Sequence, residues 1–327
     1  MTRAICLFMS LALLGETIAV QEVFRSGVDG VIIPVTVRTG NRPIGGLTAA
    51  DFELRDNGVA QEIQNASAEK IPIDLTLLLD LSASVDGPTL QRLKTAVVDT
   101  AALLRPDDRI RLVTISQVLK EVFSLRPKED AMVLDGLTAE GATSLYDGLA
   151  ATMMRPSTPG RRQLIVAFTD GRDSTSIIDQ NTARAIARLT DALVNIVVPV
   201  GGAPANVARR LSQRSGSLDS LGGGSNLVIN GQGGGAATDG VPPVLADLVA
   251  PTAGQVVTLE GDESISRIFK SMLDDFRATY VLQYVPRGVA PEGWHEIDVT
   301  VKKHGKYDVR ARRGYRGRST IPSPEER

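Results

Sequence analysis

Residues 71–79 read Ile-Pro-Ile-Asp-Leu-Thr-Leu-Leu-Leu, a nearly continuous apolar run, interrupted at Asp74 and Thr76 and ending in three leucines. A strand with one wet face alternates in polarity to its end, so consecutive leucines need cover on both faces. The chain supplies that cover as helices. Residues 88–104 place Leu90, Leu93, Ala96, Val97, Ala101 and Leu104 at helical spacing behind a proline suited to a helix start. Strands are expected at 109–115 and 118–123, joined by a gap that permits only an antiparallel hairpin. A helix at 144–154, a strand at 163–169, a helix at 181–193 and a strand at 195–200 follow. A helix at 243–249, a strand at 255–259 and a helix at 264–276 complete the series. This alternation predicts an α/β domain over 71–277, a doubly wound, mostly parallel six-stranded sheet with one antiparallel edge strand.

The flanks have a different rhythm. Residues 24–67 read as a small β unit, with a β-rich stretch from Val31, a break at 40–43 and a hairpin signal at Asn57-Gly58. Strands are expected again at 279–285, 294–301 and 306–312. These C-terminal strands (278–316) are expected to pack with the N-terminal ones, leaving the α/β domain inserted into a discontinuous β unit. Eleven of the 41 residues 201–241 are glycine, which reads as a flexible surface insertion between the fifth and sixth strands of the sheet. Residues 317–327 read as a disordered tail.

At the amino terminus, Met1-Thr2-Arg3 precedes an apolar stretch from Ala4 to Gly15, and Thr17-Ile18-Ala19 supplies small residues. That is the pattern of a secretory signal peptide over 1–19, and it is short for a bilayer core of ~30 Å. No later segment reads as a membrane span, so the protein is expected to be exported to a periplasmic or extracellular location. The sole cysteine, Cys6, lies inside the signal and would leave with it.

Composition removes most chemistries. A net charge of −2 with no basic block gives no footprint for nucleic acid. Two histidines, His295 and His304, leave little room for imidazole catalysis or a histidine-rich metal site. Oxygen ligands remain. Asp80, Ser82 and Ser84 follow the run 71–79 as Asp-Leu-Ser-Ala-Ser; Thr143 precedes a helix; Asp170 ends the strand 163–169. In open α/β sheets the ligand crevice lies beyond the carboxyl ends of the strands, where these segments can meet. Two carboxylates and three hydroxyls suit a hard cation, Mg²⁺ first and Mn²⁺ as the alternative. Each group also has a structural reading, as a cap, a turn or a backbone acceptor. Asp147 and Asp173 read either as residues that tune the field or as ordinary helix-end and loop carboxylates.

The set Asp80, Ser82, Ser84, Thr143, Asp170 resembles the metal-ion-dependent adhesion site of von Willebrand factor type A domains. The wider chain is similar to bacterial VWFA-related secreted proteins through Gly46 to Phe52, Gly141 to Asp147, Phe168 to Gly171 and Arg312 to Tyr315. The resemblance implies a non-enzymatic module. Ser82 and Ser84 would bind the metal directly, Thr143 directly or through water, and Asp80 and Asp170 mainly through water. A protein partner would complete the coordination with a Glu or Asp carboxylate. Two other readings stand beside this one. One is an envelope scaffold in which the metal only stabilises the fold. The other is a hydrolase, for which Ser82 or Ser84 would need an activating base.

Overall fold

The computed structural model describes residues 30–40, 42–67, 71–85, 87–130, 133–199, 242–259 and 264–317. The signal-peptide, Cys6 and glycine-rich-insertion readings lie outside these residues, as does the tail beyond Gly317. The chain begins with β1 (Val31–Thr39), β2 (Arg42–Pro43), β3 (Phe52–Asp56), β4 (Val59–Gln61) and β5 (Ile63–Ser67). Asn57 and Gly58 both take positive φ, as the tight β3–β4 hairpin requires.

The α/β series then runs β6 (Ile73–Asp80), α1 (Gly87–Ala102), β7 (Arg109–Ile115), β8 (Leu119–Pro127), α2 (Leu145–Met153), β9 (Arg162–Phe168), α3 (Gln180–Leu189) and β10 (Leu193–Pro199). It closes with α4 (Pro243–Val249), β11 (Val256–Leu259) and α5 (Ile265–Arg277). The six strands lie in the order β11-β10-β9-β6-β7-β8, and only the β7–β8 edge pairing is antiparallel. Every residue of β6 is buried. Leu75, Leu77 and Leu79 pack toward α1 and α5, against Leu93, Val97, Phe269 and Leu273. Leu78 points the other way, toward Leu149, Ala183 and Leu248 of α2, α3 and α4. Each such leucine contributes about 1.5–3 kcal/mol of burial free energy, which is why the central strand anchors the domain.

At the opposite end of β6 from Asp80, Asp74 is held by Arg109 (2.6 and 2.9 Å) and Arg161 (2.6 Å). Burial pushes its carboxyl up, but the hydrogen bonds and charges of the two guanidiniums outweigh that and leave it below the usual range.

Helix α2 sits close on β7 because Gly148 has no side chain: a Cβ there would stand 2.4 Å from Ile115 Cγ2. Gly148→Ala is therefore expected to cost about 1–3 kcal/mol through overpacking. Urea unfolding checks this, and an unchanged midpoint would contradict the close fit.

After the α/β series come β12 (Tyr280–Tyr284), β13 (Gly293–Val301), β14 (Asp308–Ala311) and β15 (Gly314–Gly317). They pair with the first strands of the chain. β1 lies between β12 and β14, β12 also pairs with β5, and the second sheet runs β15-β13-β3-β4. Ile33, Val35, Phe52, Leu54, Tyr280 and Leu282 fill the core of this β unit.

The structure departs from the sequence reading at three ends. The helix expected over 181–193 stops at Leu189, because Thr190 is extended and Leu193 and Val194 pair with Leu164 and Ile165 of β9. The edge strand β8 runs to Pro127, well past residue 123. Residue 317, expected to begin the tail, is the last residue of a β15 that the sequence does not announce. That strand can lie on β13 because Gly314 and Gly317 carry no Cβ; one would stand 2.3 Å from the carbonyl of His295 and of Pro291, respectively.

Candidate metal centre

Asp80 ends β6 with no exposed surface. Its Oδ1 accepts the amide of Ser82 at 3.0 Å, an Asx-type turn that folds the chain back as the strand stops. The turn brings the Ser82 and Ser84 hydroxyls to 3.0 Å of one another. Two backbone bonds fix this turn against the next segment: Ala83 N to Gly141 O at 3.0 Å and Glu140 N to Leu81 O at 2.8 Å. Gly141, at φ +78°, then reverses the chain and delivers Thr143, whose Oγ1 lies 3.4 Å from Asp80 Oδ1.

Asp170 leaves the end of β9, next to β6 in the sheet. Gly171 at φ +80° turns the chain there, and Asp170 Oδ1 accepts the amide of Arg172 at 3.0 Å. Its neighbour Thr169 donates its hydroxyl to Asp80 Oδ2 at 2.9 Å. So Asp80, Ser82, Ser84 and Thr143 are brought together by direct contacts, and Asp170 enters from the adjacent strand end. Sequence reasoning misses Thr169; the available signal is a hydroxyl at a strand end beside an acid.

Burial raises the Asp80 carboxyl above its ordinary range. Hydrogen bonds from Ser82 and Thr169 work against that rise, and the charge of Asp170 adds to it. Among the described residues the cation that reaches this acid pair is Arg172, half exposed and 3.9 Å from Asp170. Two sheltered carboxylates with so little positive charge favour a cation between them. Among the described residues no three His, Cys, Asp or Glu side chains group to hold a metal, so a cation held here would take its remaining protein ligands from hydroxyls. Their spacing is suitable, because bonds of ~2.0–2.1 Å at right angles set neighbouring ligand oxygens about 2.9 Å apart, close to the Ser82–Ser84 separation. The donor set therefore fits a small hard cation.

Asp147 and Asp173 have other work. The Asp147 carboxylate accepts the amides of Ile177 (2.9 Å) and Ile178 (3.1 Å), while Asp173 accepts the amide of Tyr146 and the hydroxyl of Ser176. Asp147, in the first turn of α2, and Asp173, in the loop after β9, together clamp segment 173–178 to the start of α2. Thr143 takes part in the same clamp, its carbonyl accepting the amides of Ser174 (2.9 Å) and Thr175 (3.1 Å).

Residues 74–216 match the family model of the von Willebrand factor type A domain. An uncharacterized protein of Synechocystis sp. is 31% identical over 84 residues, covering 24% of this chain and 20% of its own length. The chain thus spans about a fifth of the curated relative it matches. Solved structures of similar fold include a von Willebrand factor type A protein from Catenulispora acidiphila, at 11% identity and a TM-score of 0.46, covering 88% of this chain and 73% of that one. Proximal thread matrix protein 1 from the mussel byssus is 17% identical, with 63% and 48% covered and a TM-score of 0.44. The conserved hypothetical protein BatB from Bacteroides thetaiotaomicron is 14% identical, with 62% and 98% covered and a TM-score of 0.42.

Proposed function

We propose that the von Willebrand factor type A domain carried by this chain binds a divalent cation, Mg²⁺ or Mn²⁺, and recognises a protein partner through it. The observation that carries this reading is the meeting of Asp80, Ser82, Ser84 and Thr143 at the carboxyl end of β6, with Asp170 beside them. Ser82 and Ser84 would hold the cation through Oγ, and Thr143 would join them directly or through water. Asp80 and Asp170 would act through bound water. The cation supplies an electrophilic point on the surface. Neutral hydroxyls cancel little of its charge, so an acidic side chain of a partner is the favoured remaining ligand.

Neither histidine supports the hydrolase reading. His295 is buried in the β unit against Asp56, and His304 lies on an exposed turn after β13. The leader-like residues 1–19 support a location outside the cytoplasm, and no described helix is long and apolar enough to cross a membrane.

The test is thermal unfolding with and without metal. Metal at ten times its Kd adds about 1.4 kcal/mol to the folded state. The melting temperature should rise with MgCl₂ or MnCl₂ and fall back on chelation. Identical curves under all three conditions would remove the metal site.

A further inference from the structure

The segment that delivers Thr143 is bracketed by two loops, and each loop holds a bare aliphatic side chain out in water. On one side is the turn 116–118 between β7 and β8, tied to the segment by Ser144 N donating to Ser116 O at 3.0 Å and by Gln117 packing under Gly141. Its crest is Val118, 69% exposed. On the other side is loop 173–178, tied by the Thr143 carbonyl and by the Ser144 Oγ–Thr175 Oγ1 contact of 2.8 Å. Its crest is Ile177, 94% exposed.

Ile177 is presented rigidly. Its own amide and that of Ile178 are both held by the Asp147 carboxylate, so the backbone that carries the side chain cannot retreat without breaking that pair of bonds. It is also near the site: one residue, Ser176, separates it from Thr175, which bonds Ser144 and the Thr143 carbonyl, and two Cα-to-Cα steps reach at most ~7 Å. An isoleucine fixed in solvent gains nothing for the fold. Its backbone is pre-organised for contact, so binding need order only the side chain's own rotamers.

Resting on the metal reading above, we infer that the partner of this site is a protein segment whose acidic residue is flanked by aliphatic residues. The acid meets the cation while its neighbours cover Ile177 and Val118. Charge complementarity fixes the sign of the occupant, since a divalent cation beside the half-exposed Arg172 favours an anion. The aliphatic crests fix what surrounds that anion. A phosphate or a sugar acid carried on a polar scaffold would leave both crests wet.

The experiment uses the full chain with two synthetic peptides as probes, one with Glu between leucines and one with Glu between serines, in saturating MgCl₂. Binding of Mn²⁺ alone is followed in parallel by electron paramagnetic resonance. The leucine peptide should bind about tenfold or more tightly than the serine peptide, the increment expected for covering one aliphatic side chain. Ile177→Ser should abolish that preference with Mn²⁺ binding unchanged, and Val118→Ser should reduce it. Both positions are solvent-exposed, so neither variant threatens the fold. Equal affinities for the two peptides, or none for either, with Mn²⁺ bound would overturn this inference and leave the metal reading intact. Failure to bind Mn²⁺ at all would overturn both.

Discussion

Asp56→Ala is expected to destabilise the β unit by about 3–5 kcal/mol, the range found when one member of a buried charged network is removed. Asp56 and Tyr284 have no exposed surface, and His295 retains 1%. Asp56 Oδ1 lies 2.8 Å from His295 Nδ1, and Oδ2 accepts from Tyr284 at 2.7 Å and Tyr315 at 3.0 Å. Three polar side chains thus converge on this carboxyl group from β12, β13 and β15 while Asp56 itself ends β3, the two phenols as donors and the imidazole as a donor in the tautomer protonated at Nδ1. Burial pushes the Tyr284 phenol well above its ordinary range, and its bonds to Tyr315 and Asp56 push it further. Burial likewise lifts Tyr315, to about 12; its bond to Tyr284 opposes the rise and that to Asp56 reinforces it. Both phenols therefore remain donors at neutral pH. Truncation to alanine strands the Tyr284 hydroxyl inside the protein, at about 1–3 kcal/mol before any relaxation, and leaves the Tyr315 hydroxyl and His295 Nδ1 with only their mutual contact of 3.0 Å. Asp56→Asn, which keeps one acceptor oxygen, should lose less. The sole tryptophan, Trp294, adjoins His295 on β13 and reports this region by fluorescence during urea unfolding. A loss under about 1 kcal/mol would mean that the network carries none of the stability assigned to it.

That cluster marks where the sequence stopped being legible. The α/β sheet could be read because its signal is local: a run such as Leu77-Leu78-Leu79 permits only two-sided burial, and the short gap after Ile115 permits only a hairpin. The oxygen groups could be placed because strand ends in such a sheet share one rim. His295 gave no comparable signal. Its partner Asp56 lies 239 residues away, and nothing near either residue announces the pairing. The four residues Gly-Tyr-Arg-Gly of β15 fail as a strand by propensity, since two glycines weaken any strand. They succeed in the fold because those glycines permit the close approach to β13. Thr169 and the clamp through Asp147 are tertiary in the same sense. Each residue looks ordinary along the chain and acquires its role only when β6, β9 and the α2 start are side by side.

Asp80→Asn should reverse its effect on stability according to whether metal is present. Without metal, the wild-type carboxylate is held where burial and the nearby Asp170 both work against its charge. The amide keeps an acceptor for the Ser82 amide and removes that charge, and Thr169 can turn its hydroxyl to accept instead. The variant should then be within about 1 kcal/mol of wild type, or more stable, in chelator. With Mg²⁺ at a hundred times the wild-type Kd, wild type gains about 2.7 kcal/mol and the variant gains little, since one of its two anionic groups is gone. Wild type should therefore overtake the variant as metal is added, with curves that cross. A purely structural Asp80, one whose value lies only in ordering the Ser82 turn, predicts a different pattern: the variant below wild type by the same margin in both conditions. Parallel curves would accordingly reassign Asp80 to the turn, whereas crossing curves require that the carboxylate be tolerated in the fold for the sake of a cation.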